Sequence, residues 1–153
     1  MAKPRYAILL DGGFVKKKLF DKFKHHPTAD DIVAKCDELQ HLPEVTDHEL
    51  LRIYYYDAYP AAEKLRLPVS REAYNTAETE RFRQSQSLFD QLVLKPNVAL
   101  RMGHVGIAPR PWKLKSSVAR QLVAKPRELT DADFVVDAQQ KGVDMRIGLR
   151  RAQ

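Results

Sequence analysis

The chain has 153 residues and a formal net charge of +6 at neutral pH, a length that suits one domain with a substantial core. No apolar run approaches the roughly 20 residues that a membrane-spanning helix needs, and the opening apolar segment is too short for a secretory signal. The single cysteine, Cys36, cannot form an internal disulfide. We therefore expect one cytoplasmic domain over residues 1–153, with no membrane partner.

The positive charge is concentrated in the last third of the chain. Residues 99–153 contain 11 Lys or Arg and 5 Asp or Glu, whereas residues 1–98 contain 15 of each. A basic region suggests contact with nucleic acid, and a surface kept soluble by cationic side chains is the alternative. Composition does not separate the two.

The first elements are predicted from local patterns. Residues 6–10 are apolar without alternation, which is typical of a strand buried on both faces of a parallel sheet. The spacing of apolar residues then predicts a helix over residues 14–24. Thr28 and Asp31 predict the cap of a second helix that ends near residue 39.

The middle of the chain predicts a strand followed by a long helix. Thr46 and Glu49 fit either a capping box for a short helical turn or the lead-in to the next strand. The β-forming residues of 52–59 predict that strand, and residues 60–77 predict a surface excursion. Helical spacing returns over residues 78–94.

The last elements complete an α/β pattern. Residues 97–107 predict a third strand, a basic and proline-punctuated stretch follows at 109–115, and a short helix is predicted over 117–124. Thr130 and Asp133 predict the cap of a final helix through about residue 140. Alternating strands and helices indicate a three-layer α/β sandwich with a mainly parallel central sheet.

Three aspartates are candidates for chemistry. Asp11 ends the first strand, where ligands of open α/β sheets gather, and a turn residue that binds the amide of Gly12 or Gly13 is an equally good interpretation. Asp57 also ends a strand, but its Asp-Ala-Tyr-Pro context favours a turn, so it is only a possible accessory acid. Asp144 stands in an apolar turn after Gly142. It is interpreted either as a second carboxylate at the same edge of the sheet as Asp11 or as a carboxylate that stabilises the start of a helix.

Paired carboxylates suit a hard divalent cation. Mg²⁺ and Mn²⁺ take oxygen ligands and keep several waters, and such an ion lowers the pKa of a bound water and offsets charge on a phosphate. Asp11 and Asp144 are therefore expected to hold Mg²⁺ or Mn²⁺. The five histidines show no spacing typical of a metal site.

Basic and aromatic residues supply candidates for RNA contact. Arg110, Lys113 and Lys115 surround Trp112 and are expected to contact a nucleic-acid backbone. Phe14 and Tyr56 are further aromatics that could stack on bases, as Trp112 could, although aromatics at these spacings are more often part of the core.

Three segments together resemble the NYN domain family of the PIN-like superfamily. They are residues 8–14 (Ile-Leu-Leu-Asp-Gly-Gly-Phe), residues 101–115 with their Arg-Met-Gly and Trp-Lys-Leu-Lys runs, and residues 140–149 with the Lys-Gly-Val-Asp motif. The resemblance implies a parallel sheet sandwiched by helices and metal-dependent RNA cleavage. It implies that Asp11 and Asp144 are the catalytic, metal-binding acids, and it makes Lys141 and Arg146 candidate RNA contacts.

The chain departs from the family pattern after Leu149. Family members continue with another acid, a helix, a strand and a second acidic turn, whereas Arg150 stands at the place of the next acid. We therefore expect a sheet that is incomplete at its C-terminal end. A second copy, or another chain, could complete its edge.

Three functions follow as hypotheses. The first is an NYN-type ribonuclease dependent on Mg²⁺ or Mn²⁺. The second is a catalytically impaired remnant that binds RNA or a partner chain. The third, a binder of small phosphate ligands, is weakened because the chain contains no glycine-rich phosphate-binding motif.

Overall fold

A computed structural model describes residues 1–142 as a mixed α/β fold. The strands and helices follow one another in the order β1 (Arg5–Asp11), α1 (Gly12–Phe23), α2 (Ala29–Gln40), β2 (Glu49–Tyr59), β3 (Lys64–Arg66), β4 (Ala73–Asn75), α3 (Glu80–Leu92), β5 (Val98–Leu114), α4 (Ser116–Ala124) and β6 (Phe134–Lys141).

The main sheet has the strand order β1-β2-β5-β6. β1, β2 and β5 are parallel, and β6 is antiparallel to β5. The register places Asp11 beside Tyr56 and Tyr56 beside Arg101, so these three residues form one row across β1, β2 and β5 at the level where β1 ends. A separate hairpin pairs β3 with β4. The mainly parallel sheet predicted from the sequence is confirmed.

The principal core lies between the sheet and α1–α3. Both parallel crossovers move in the same direction across the sheet, so right-handed connections put their helices on one face. The second helical layer of the predicted three-layer sandwich stays a prediction. The buried residues that join the layers are Ile8, Leu10, Leu19, Ala29, Ile32, Cys36, Ile53, Tyr55, Leu88, Phe89 and Leu92. Within this core, burial raises the pKa of the Cys36 thiol to about 11.

Local signals placed most elements correctly. At α2, Thr28 Oγ1 accepts a hydrogen bond from the Asp31 amide, and the Asp31 carboxylate accepts one from the Thr28 amide, so the predicted cap is present. At Glu49 the structure decides for the strand lead-in, since Glu49 begins β2. The Thr46 hydroxyl instead donates back to the Leu42 carbonyl.

The helix predicted from Thr130 to residue 140 is wrong. The capping box at Thr130 and Asp133 forms, but it opens a single 3-10 turn, Asp131–Asp133, and the chain then enters β6. Two causes act together: β-branched valines follow Phe134, and pairing with β5 satisfies the backbone of β6.

The basic stretch at 109–115 belongs to a strand. β5 continues through it to Leu114, and the register with β6 shifts between Ile107 and Trp112. Prolines 109 and 111 fall inside this irregular interval, where a missing amide donor costs no ladder hydrogen bond. The predicted surface excursion at 60–77 contains the β3–β4 hairpin.

The helices of the described residues are short. α3 is the longest of them, with 13 residues. No helix within residues 1–142 has the length and apolar character needed to cross a bilayer.

Candidate active site at the carboxyl edge of the sheet

Asp11 joins the first strand to the first helix. It is the last residue of β1 and the N-cap of α1, and its Oδ1 atom accepts a hydrogen bond of 3.1 Å from the Phe14 amide. The residue is exposed. One carboxylate oxygen is therefore used by a helix cap on the Phe14 amide, and not by the predicted turn contact with Gly12 or Gly13, while the other is available at the surface for a ligand.

Asp57 is a buried strand residue. It lies inside β2 and is 1% exposed, so the prediction that it belongs to a turn is wrong. β2 runs two residues beyond Asp57, and its pairing with β5 continues as far as Tyr59. The carboxylate therefore points into the packed interface between the sheet and α1.

Four groups bind the two oxygens of Asp57. The Lys16 ammonium lies 2.7 Å from Oδ2, and the Tyr55 hydroxyl donates to the same atom at 3.0 Å. The Ala58 amide donates to Oδ1 at 2.8 Å, and the Gln140 amide group donates to it at 3.4 Å. A buried carboxylate with this many donors is compensated for its lost hydration.

Lys16 supplies the counter-charge from inside α1. Its side chain is 24% exposed, and its ammonium also lies 5.8 Å from the centre of the Phe89 ring. Burial, and then the negative charge of Asp57, raise the pKa of the Tyr55 phenol far above its usual value, with a smaller contribution from Asp11. Tyr55 therefore stays protonated and acts as a donor to Asp57.

Gly12 allows this close approach of helix and sheet. A Cβ at position 12 would lie 2.6 Å from Oδ2 of Asp57 and 2.7 Å from the Tyr55 hydroxyl. Any larger residue would have to displace these buried groups. Gly12 thus makes room for the buried polar network.

Tyr56 occupies the other side of the same strand. Strand alternation turns it away from Tyr55 and Asp57, and it forms a second small core with Ala58, Tyr54 and Val105. Its hydroxyl is buried and has no hydrogen-bond partner within residues 1–142. Tyr56 is a core residue and is not available to stack on a base.

The donor set at this edge can be compared with the needs of a hard divalent cation. Asp11 offers an exposed carboxylate, which fits. Asp57 does not fit as a ligand, because an ion would have to displace Lys16 and three hydrogen bonds. Residues 1–142 contain no group of three His, Cys, Asp or Glu side chains placed to hold a metal. Within residues 1–142, Asp57 therefore stabilises the packing of α1 on the sheet and does not act as the predicted accessory acid.

The second predicted carboxylate, Asp144, lies outside the described residues, as does Arg146. β6 brings the chain back towards the edge that carries Asp11: Lys141 pairs with His104, three residues beyond Arg101 on β5. Gln140, which precedes Lys141, already contacts Asp57. That Asp11 and Asp144 lie close enough to share a metal ion therefore stays a prediction.

The predicted RNA contacts occupy the far end of β5. Trp112 donates from Nε1 to the Arg66 carbonyl at 2.7 Å and packs edge-on against Tyr74, so its ring holds the β3–β4 hairpin. Lys113 pairs with Asp137 at 3.3 Å.

Arg110 and Lys115 are exposed in the same stretch. Trp112 lies ten residues beyond Met102, the partner of Asp57, which amounts to at most about 34 Å along the strand.

The acids of the wrongly predicted helix anchor this far end. Arg127 binds Asp133 through two nitrogens, at 2.7 and 2.8 Å, and this pairing holds the pKa of Asp133 well below its usual range. Asp131 accepts hydrogen bonds from the Ser70 and Val69 amides, and these interactions lower its pKa as well. Asp131 thus fastens the turn of the β3–β4 hairpin, and Asp133 fastens the segment that leads into β6.

Lys16 and Gln140 were not predicted as site residues. Lys16 stands in a run of three lysines that suggests a solvated surface, yet Gly12, Lys16 and Leu19 follow the i, i+4, i+7 spacing of one helical face. That spacing was the available signal. For Gln140 the sequence carries no such signal, because its contact with Asp57 spans 83 residues.

Comparisons with protein-family models, with curated proteins and with solved structures found no match. The resemblance of three sequence segments to the NYN domain therefore stays a prediction.

Proposed function

We propose that this chain is an NYN-type ribonuclease of PIN-like, three-layer architecture that cleaves RNA with Mg²⁺ or Mn²⁺. The observation that carries the proposal is the place of Asp11: an exposed carboxylate at the carboxyl edge of a parallel sheet and at the start of a helix. That is where open α/β sheets bind their ligands. The Lys-Gly-Val-Asp segment supplies the second acid.

In this proposal Asp11 and Asp144 hold the metal ion. When bound, the ion supplies a water of lowered pKa and offsets charge on the phosphate that is attacked. Asp57 and Lys16 act as positioning residues: their ion pair fixes the first turn of α1 against β2 and so fixes the carboxylate that caps this turn.

RNA contact is proposed for basic residues on β5 and β6 and beyond: Arg110, Lys113, Lys115, Lys141 and Arg146. Exposed Lys and Arg side chains bind phosphates with little sequence preference. Trp112 is left out of the base contacts, because its ring is engaged by the hairpin.

The test is RNA cleavage by matched variants. Labelled single-stranded RNA is incubated with the protein and Mn²⁺ or Mg²⁺, and the rates of Asp11→Asn and Asp144→Asn are compared with the wild type. Asp21→Asn is the control, since it changes an exposed aspartate of the same helix. We expect a loss of at least about 100-fold in the first two variants and none in the control.

Equal cleavage by the wild type and Asp11→Asn would overturn the proposed catalytic site. Cleavage that persists in EDTA would overturn the proposed role of the metal.

A second candidate function is an impaired NYN remnant that binds RNA or a partner chain. Two observations on residues 1–142 favour it. The Asp57 carboxylate is already bound by other groups of the protein, and no three side chains are placed to hold a metal ion. RNA binding without any metal-stimulated cleavage in the wild type would select this function. Light scattering would show whether a second copy joins the sheet.

A further inference from the structure

We propose that the outward face of α1 binds single-stranded RNA and guides it to Asp11. The binding surface consists of Phe14, Lys17, Lys18 and Lys22, which we call the α1 strip. This inference rests on the proposed function and names its substrate class as a single strand.

The α1 strip begins with an aromatic ring in solvent. The Phe14 side chain is 60% exposed, although a phenylalanine in the first turn of a packed helix is ordinarily buried. The Lys18 ammonium lies 5.5 Å from the centre of this ring. An exposed ring with an adjacent cation offers one base a stacking surface and its phosphate a counter-charge.

The α1 strip carries three exposed cations, Lys17, Lys18 and Lys22. α1 has no acidic residue in its first turn, and Lys22 lies in its last turn. Lys16 is neutralised by Asp57, whereas Lys17 and Lys18 are exposed. Together with Lys22 they form a row of positive charge that is complementary to a polyanion.

The α1 strip is continuous with the candidate metal ligand. The Phe14 amide donates to Oδ1 of Asp11, so the ring and the carboxylate belong to the same helical turn. Phe14, Lys18 and Lys22 follow at intervals of four residues, or about 6 Å of helix. A strand that contacts this row therefore arrives beside Asp11.

Single strands are favoured over duplexes by the exposed ring. In a duplex the bases are stacked inside the helix, and protein contacts go mainly to phosphates and hydroxyls. A single strand leaves its bases free to stack on Phe14.

The experiment measures binding without cleavage. Fluorescein-labelled oligouridine is titrated with the full chain in EDTA, and affinity is followed by fluorescence anisotropy at several salt concentrations. The variants are Phe14→Ala, Phe14→Tyr, and Lys17→Gln with Lys18→Gln. The controls are Val123→Ala, which shortens a side chain that is 87% exposed on α4, and Lys3→Gln with Lys125→Gln, which removes two exposed charges elsewhere.

Phe14→Ala is expected to weaken binding by about 5-fold to 100-fold, and Phe14→Tyr to retain it. The double lysine variant is expected to reduce the slope of log affinity against log salt by about 1.4, since each phosphate contact on a single strand contributes about 0.7. Both controls should bind as the wild type does. Circular dichroism checks folding, and the cap on Asp11 is kept in Phe14→Ala because a backbone amide makes it.

Two results would overturn the inference. One is unchanged affinity in both Phe14→Ala and the double lysine variant. The other is equal or tighter binding of double-stranded RNA, which would make the contact one of charge alone. If Phe14→Ala instead converted a dimer to a monomer without changing RNA affinity, the α1 strip would be a self-association surface, and the inference would fail.

The outcome is independent of the cleavage test. Binding in EDTA can be lost in the α1 strip variants even if the chain cleaves nothing. Conversely, Asp11→Asn can abolish cleavage while the α1 strip contributes nothing to affinity.

Discussion

The Nζ atom of Lys16 lies 2.7 Å from Oδ2 of Asp57, and this ion pair connects the first turns of α1 to the second strand. Asp57 is almost completely buried, and Lys16 is mostly buried. Removing one partner of such a pair leaves a charge without compensation, which typically costs 3–5 kcal/mol. The position of Asp11 at the start of α1 depends on this connection.

Lys16→Met is therefore expected to lower the free energy of unfolding by about 3 kcal/mol, because the buried Asp57 carboxylate loses its counter-charge. The double variant Lys16→Met with Asp57→Asn should lose less than the sum of the two single variants, since no buried charge remains. Urea unfolding of the four proteins measures the coupling. Strict additivity would mean that the ion pair does not link the two residues energetically.

Gly12→Ala and Gly13→Ala are a matched pair in the same helix turn. A Cβ at position 12 meets Asp57 and Tyr55 below 3 Å, whereas at position 13 the nearest atom is Oδ1 of Asp11 at 3.4 Å. We expect Gly12→Ala to destabilise the fold by about 1–3 kcal/mol through overpacking. Gly13→Ala should be neutral or stabilising by up to about 1 kcal/mol, since alanine is the better helix former.

Thermal and urea unfolding of both glycine variants checks this difference. Equal stability of the two would contradict the tight contact between α1 and β2.

The stability of the protein is expected to change in opposite directions when the hydroxyl of Tyr55 or of Tyr56 is removed. Tyr56→Phe removes a buried hydroxyl that has no partner within residues 1–142, so the variant should gain about 1 kcal/mol of stability. Tyr55→Phe removes a donor to Asp57 and should lose about 1–2 kcal/mol. The melting temperatures of both variants give the answer, and a loss of stability in Tyr56→Phe would show that its hydroxyl has a binding partner.

Acid should weaken the far end of the sheet through Asp133. Its pKa is held below the usual range by Arg127, so from about pH 4 downward the unfolded chain takes up a proton that the folded protein does not. The stability supplied by this pair is thus complete above about pH 4 and is lost as pH falls towards the lowered pKa. Asp133→Asn should be less stable at neutral pH and show a smaller decline on acidification.

The pH dependence is measured by urea unfolding between pH 3 and pH 7. Asp47→Asn, at an exposed turn, is the control and should follow the wild-type curve. Identical curves for the wild type and Asp133→Asn would contradict a stabilising pair between residues 127 and 133.

The sequence predicted elements whose signals are local. The Thr28 cap, the apolar strand at residues 6–10 and the spacing over α3 depend on neighbours within a few residues, and the structure confirms them. The prediction of a final helix was wrong because the cap at Thr130 is equally compatible with a single helical turn. The choice between helix and strand there depends on β5, which is distant in sequence.

The candidate site was predictable only in part. Asp11 follows from strand-end reasoning, because one apolar run and two glycines define its place. The burial of Asp57 could not be predicted, because its Asp-Ala-Tyr-Pro context is typical of a turn. The groups that stabilise its buried carboxylate are Lys16 and Tyr55. The contact of Gln140 with Asp57 is set by the register of β5 and β6, which no local pattern encodes.

The most direct test of the proposed metal site is a calorimetric titration of the wild type with Mn²⁺, repeated with Asp11→Asn, Asp144→Asn and Asp21→Asn. The proposed site predicts that the wild type and Asp21→Asn bind the ion alike, and that Asp11→Asn and Asp144→Asn lose most of this affinity. If Asp11→Asn bound Mn²⁺ as tightly as the wild type, Asp11 would not be a metal ligand and the proposed site would be wrong.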